Sequence, residues 1–221
     1  MSMSKLISIR ATETSVVKNE AAPLPLAARA RHSWEGTLPT QDLSAKPKPS
    51  MILETERLTL APLTPSDAPH VYPFLSDPEV MAHWDQAAIE DPDEVEACVV
   101  AQVAEMGAGK AHYWAVRQSQ TGDFLGYCEL VDIDERHHRA ELRFIVAREG
   151  WGQGYGLEAV RALLAHAASI GLKRLIARTH VGDTKAERLL ERLGFEVEGY
   201  LKGHIQRDGE RRDCRLFGLL L

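Results

Sequence analysis

Between residues 149 and 160 the chain reads EGWGQGYGLEAV. Gly150, Gly152, Gly154 and Gly156 alternate with other residues, and an apolar run follows at once. That many glycines cost conformational entropy, which a chain bears where its backbone turns sharply or is approached closely. Before them stands RAELRFIV, a strand-like run. After them Leu157, Val160, Leu164 and Ala167 recur at helical spacing, so a helix is expected over 154–170. Strand, glycine turn and helix in that order gather main-chain N–H groups at a helix head. Such a nest binds an anion, usually phosphate, with help from the helix dipole. A plain strand-to-helix turn is the other reading of the glycines alone. Two nucleotide motifs are excluded. A dinucleotide fingerprint needs its third glycine one position later than Gly156, and a P-loop needs Gly-Lys-Ser/Thr, whereas no lysine follows here.

The rest of the chain alternates in type. ILETERLTLAPL reads as a strand, and TPSDAPHVYPFLSDPEV as a short helical stretch opened by Thr64 and Ser66 and broken by Pro73 and Pro78. DPDEVEACVVAQVAEMGAG is a helix with Pro92 in its first turn and Val95, Val99 and Val103 on one face. AHYWAVRQ and FLGYCELVDID flank SQTGD as a hairpin, and RAELRFIV is the next strand. LKRLIARTHV is a strand, residues 184–193 a helix stopped by Gly194, and FEVEGYL and RDCRLFGLLL are closing strands. The economical packing is α+β: a mixed, mostly antiparallel sheet of about seven strands with helices on both faces.

Charge divides unevenly. Residues 1–50 carry seven Lys/Arg against four acids, leaving 19 against 28 in residues 51–221. An acidic body excludes a general nucleic-acid binder and suits a cationic partner or plain solubility. Residues 1–50 mix Pro, Ala and Ser without periodicity and read as a disordered extension, with Met51 a candidate true start. No apolar run reaches the roughly 18 residues of a membrane helix, and no signal-peptide core is visible, so a cytoplasmic protein with no membrane partner is expected. Cys98, Cys128 and Cys214 lack a CxxC pair and read as reduced core thiols, with no metal site.

GWGQGYGLEAV is similar to the coenzyme A diphosphate loop of the GNAT N-acetyltransferases, with Gly154 and Gly156 on the glycine positions and Trp151 where a Gln or Arg is usual. ETERLTLAPLTPSDA resembles the opening of the ribosomal-protein-alanine (RimJ/RimL-like) branch, and DTKAERLLERLGFEVEGYL resembles its second signature. The resemblance covers 52–221 in register. It implies a GNAT domain over 51–221 that moves an acetyl group from acetyl-CoA to a primary amine within a ternary complex. The acceptor would be a protein N-terminal α-amine or an amine-bearing small molecule, and the enzyme a monomer or homodimer. It further implies that Trp151, Gly152, Gln153, Gly154, Tyr155 and Gly156 cradle the diphosphate. Phe144, Ile145 and Val146 would pair with the pantetheine arm, and Asp183, at the family's usual Asn position, would meet a pantetheine amide. Ala186 replaces the usual Ser, and Leu190 fills the slot of a Tyr in other branches, so the ordinary proton donors to the departing thiolate are missing.

Amine acetylation needs a deprotonated amine, a donor to the developing oxyanion and a stabilised thiolate. Glu141 on RAELRFIV is the expected base, the other reading being a strand carboxylate paired with Arg143 or Arg139. Glu129 and Trp84 are expected at the acceptor, with Asp132 a further carboxylate and Asp85 to Glu96 an acid-rich stretch that could steer an amine. His137 and His138, if on a strand, would point to opposite faces. Cys128 reads as a buried thiol rather than a nucleophile. Two other functions stand beside acetyl transfer: an acyl-CoA sensor or partner module with little turnover, and a nucleotide-binding regulator.

Overall fold

The computed structural model describes residues 51–221. The expectations of a disordered extension and of Met51 as a start fall on or depend on residues 1–50, outside the described residues. The sheet strands are β1 (Leu53–Glu54), β2 (Leu58–Pro62), β3 (His112–Gln118), β4 (Phe124–Asp134), β5 (Arg139–Val146), β6 (Arg174–His180), β7 (Glu196–Arg207) and β8 (Glu210–Leu220). Their order is β1-β2-β3-β4-β5-β6-β8-β7. The helices are α1 (Ala68–Leu75), α2 (Pro92–Gly107), α3 (Tyr155–Ser169) and α4 (Thr184–Arg192). Every strand pair is antiparallel except β5–β6. The fold is the α+β sheet with helices on both faces read from the sequence.

The sheet has eight strands rather than about seven because the first apolar run folds back on itself. Thr55 is the cause. Its hydroxyl oxygen accepts from the Leu58 N–H at 2.9 Å, and its own N–H donates to the Leu58 carbonyl at 2.9 Å. That side-chain turn ends one strand and starts another, setting Leu53 opposite Leu60. Two other expectations change. Pro73 lies inside α1 and does not break it; the helix runs on to Leu75. His137 and His138 lie in the turn between β4 and β5, where His138 has φ 49°, and not on a strand.

Each sheet face has its own core. Leu58, Leu60, Trp114 and Leu142 pack under Val160 and Leu163 of α3, with Leu190 of α4 beside them. Tyr113, Ala115, Tyr127 and Ile145 pack on the opposite face against Val71 and Phe74 of α1 and Val95 and Val99 of α2. Period-2 alternation therefore assigns Glu129, Glu141 and Arg143 to the α1/α2 face and Phe144 to the α3/α4 face.

One topological feature creates the site. β5 and β6 pair from Arg139–Arg174 to Glu141–Ile176, and the pairing stops there. Yet β5 continues to Val146 in register with β4, and β6 continues to His180 in register with β8. The strands are held from outside and part from each other, leaving a wedge between residues 142–146 and 177–180.

Candidate active site

The glycine stretch stands at the mouth of this wedge. Residues 148–150 form one 3-10 turn, and α3 starts at Tyr155 after Gly154, whose φ is 81°. Gly152 also has a positive φ, 73°, a conformation that side-chain-bearing residues rarely adopt. Gly156 serves differently: a Cβ there would lie 3.1 Å from Leu189 Cδ1, so its lack of a side chain lets α3 approach α4. Among the described residues the main-chain N–H groups of 152–157 make no hydrogen bond to protein, while those of Gly150 and Trp151 are spent on Ala147 and Arg148. Six unspent donors at the head of a 15-residue helix fit a diphosphate.

Side chains brace this loop from below. Arg57 donates through Nη1 to the Gln153 carbonyl at 3.0 Å, ion-pairs with Glu158 at 2.6 Å, and lies 4.6 Å from the Tyr155 ring centre. Burial tends to raise the Glu158 carboxyl, but hydrogen bonds from the Thr55 hydroxyl and from Arg57 bring it below its ordinary value. Sequence reading overlooked Arg57 because its partners lie about a hundred positions away. The Trp151 indole N–H donates to the Val146 carbonyl at 2.8 Å, and the Lys185 ammonium sits 3.9 Å over its ring. Trp151 therefore ties β5 to the loop. Phe144, Ile145, Val146, Tyr155 and Gly156 line one crevice, whereas Gln153 is exposed. Asp183 caps α4, accepting from the Ala186 N–H at 3.0 Å, and Leu190 is core.

On the α1/α2 side the wedge is lined with charge. Glu141 is buried, and its Oε1 accepts from Arg143 Nε at 2.9 Å and from Arg178 Nε and Nη2 at 3.1 and 2.9 Å. Arg143 is thus the partner expected on one reading, whereas Arg139 pairs with Asp134. Three charge-assisted donors on one oxygen fix the Glu141 side chain between β5 and β6. Glu129 stands opposite Arg143 in the β4–β5 register and is 3% exposed. Burial pushes its carboxyl up to about 7, with Arg143 pulling the other way. Asp132 sits on an exposed bulge farther along β4, away from the wedge.

Trp84 is half-buried, its ring 6.3 Å from that of Tyr127 on the same face. Arg207 Nη1 donates to the Trp84 carbonyl at 3.0 Å, so the β7–β8 hairpin pins this loop over the sheet. The acid-rich stretch disperses: Asp91 caps α2, Asp93 and Glu94 lie in its first turn, and the half-exposed Asp85 meets His180 at 3.0 Å. His180 and Arg178 were not singled out in sequence, and Asp85 only as the start of the acid-rich stretch, although the alternation of Arg174, Ile176, Arg178 and His180 marks one face of β6. Cys128 is buried beneath α3, and burial with the nearby Glu129 charge pushes its thiol up to about 12, which leaves it inert.

Residues 57–196 match the Acetyltransferase (GNAT) domain family. The chain belongs to the GNAT acetyltransferase family. It is a GNAT-type N-acetyltransferase, and its relatives bear this out. It is 29% identical over 170 residues to the uncharacterized N-acetyltransferase p20 of Bacillus licheniformis, covering 76% of this chain and 95% of that protein. Its fold superposes with a TM-score of 0.68 on the spermidine N-acetyltransferase from Vibrio cholerae in complex with CoA and spermine, at 24% identity over 75% of this chain and 96% of that one. RimL, the ribosomal L7/L12 alpha-N-protein acetyltransferase, superposes at 0.71 with 17% identity, covering 77% and 94%. Among the described residues no group of three or more His, Cys, Asp or Glu side chains is placed to hold a metal. No helix among them is long and apolar enough to cross a membrane.

Proposed function

We propose that this GNAT enzyme acetylates a primary amine from acetyl-CoA by direct transfer, with a protein N-terminal α-amine as acceptor. The supporting observation is the β5–β6 wedge that opens beside six unspent N–H groups at the start of α3. Residues 152–157 would hold the diphosphate, and Phe144, Ile145 and Val146 would receive the pantetheine arm. Acetyl-CoA supplies the acyl group as a thioester. The fixed edge of β5 presents main-chain donors without reorganisation where the carbonyl oxygen gains charge. Holding both reactants side by side supplies much of the rate.

The charge lining the wedge favours an acceptor with one positive charge over a polyamine. Asp85, Glu129 and Glu141 are interleaved with Arg143 and Arg178, and the hairpin above adds Arg207 and Arg212, both of which donate to the Ala82 carbonyl. A long polycation would meet guanidinium groups along its length. An α-amine, with an ordinary pKa of about 7.7–8.0, also needs less help to deprotonate than a lysine-type amine near 10.4.

A thiol-release assay with acetyl-CoA against peptides, spermidine and small amines tests this, with mass spectrometry of each acceptor. Peptides with a free N-terminus are expected to gain one acetyl group and spermidine to be the poorer acceptor. Coenzyme A binding without transfer to any amine favours instead the sensor module that Ala186 and Leu190 leave open.

A further inference from the structure

We infer that His180 is the base that deprotonates the acceptor amine, and that Asp85 positions it; this rests on the acetyl-transfer reading above. Three observations carry the assignment. The first is position. His180 lies four residues past the last β5–β6 pair, as Ile145 does on β5. At about 3.3 Å per residue both stand about 13 Å beyond the point where the pairing ends, on the two sides of the gap.

The second is the state of the imidazole. His180 is buried, and its Nε2 lies 3.0 Å from Asp85 Oδ1. A carboxylate only accepts, so the proton of neutral His180 resides on Nε2 and Nδ1 keeps its lone pair. Among the described residues Nδ1 has no protein partner, and it is not one of the polar atoms sealed from solvent. It is therefore open to an incoming proton donor. The half-exposed Asp85 carboxyl lies below its ordinary value: partial burial tends to raise it, but the His180 hydrogen bond and the Arg178 and Arg143 charges pull it down further.

The third is that several neighbouring groups are already engaged or inert. Glu141 Oε1 is occupied by two guanidinium groups, and Cys214, opposite His180 on β8, is a buried thiol raised by burial. Arg178 Nη1 is engaged with His204 Nε2 at 2.8 Å and cannot accept a proton.

In the step, Nδ1 takes one proton from the ammonium, and the freed nitrogen lone pair forms the N–C bond to the acyl carbon. The C–S bond breaks with its electron pair on sulfur. The second proton lost from nitrogen passes to that thiolate, so acetyl amide and free thiol are formed, and His180 returns its proton to water.

The test compares wild type with His180→Gln and Asp85→Asn, using acetyl-CoA and the best peptide acceptor. Glutamine preserves a donor toward Asp85 and removes the basic lone pair. His180→Gln is expected to lower kcat by about 10²–10⁴-fold with KM nearly unchanged, and added imidazole to restore part of the rate. Coenzyme A affinity, measured calorimetrically, is expected to match wild type and shows that each variant is folded. Independently of turnover, nitrogen NMR of the ring is expected to show the Nε2–H tautomer in wild type and a loss of that bias in Asp85→Asn. A His180→Gln rate within threefold of wild type, or a wild-type Nδ1–H tautomer, overturns the assignment alone. No transfer by wild type to any amine overturns the acetyl-transfer reading and this role with it.

Discussion

Gly126→Ala is expected to cost about 3 kcal/mol or more and to lower the melting temperature by roughly 10 °C. Gly126 pairs with Val146 on β5 and has φ 145°, a region that residues with side chains rarely enter. A Cβ built there lies 2.1 Å from the Ile145 carbonyl oxygen and 3.0 Å from Val146 Cα. Both neighbours are backbone, so the clash cannot be relieved by rotating a side chain. Either β4 and β5 separate or the strand bends. Both outcomes displace the stretch that forms one wall of the wedge, so coenzyme A affinity should fall along with stability. Gly218 is the control. The atoms nearest its added Cβ are the carboxylate end of Glu198, on the edge strand, which can swing away with loss of its ion pair to Arg174, so Gly218→Ala should cost far less. Thermal denaturation of the two variants side by side checks the contrast; equal losses would show that the close approach at Gly126 is not what limits it.

Glu129→Gln is expected to stabilise the protein at alkaline pH by about 3 kcal/mol, and to do so progressively less as pH falls. The sign follows from the direction of the shift. Burial raises this carboxyl from 4.5 to about 7 in the folded chain. A raised group favours folding when protonated, so its contribution is intact below pH 4.5 and is lost as pH rises through 7. Above that, folding must keep a carboxylate buried. Glutamine keeps the shape and removes the charge, so its advantage should be near full at pH 8 and under about 1 kcal/mol at pH 5. Melting curves at the two pH values measure it. A variant whose advantage is the same at both would show that Glu129 does not carry the buried charge.

The strands around the site were legible in sequence where alternation and punctuation agree. FLGYCELVDID and RAELRFIV coincide with β4 and β5, and the helix expected over 154–170 spans Tyr155–Ser169. The glycine loop was legible because its donors come from consecutive residues, so local order alone brings them together. The acceptor side was less so. His180 and Asp85 are 95 positions apart and meet only because β6 runs past β5 and a loop folds over the sheet. Arg57 reaches Glu158 across 101 positions for the same kind of reason. Glu141 shows the limit most plainly: its sequence position suggests a base, while of its two guanidinium partners the one 37 positions away is invisible to any local pattern. The extra strand was missed because one threonine hydroxyl, which alternation does not register, turns the chain.

That the start of α3 and the open edge of β5 hold coenzyme A together is tested most directly by amide hydrogen exchange, resolved to single residues, with and without coenzyme A. Exchange is expected to slow at least tenfold over residues 152–157 and 142–146 and to stay unchanged in the β7–β8 hairpin. Saturating coenzyme A that leaves both segments exchanging at their free rates, while protecting another part of the sheet, would contradict it.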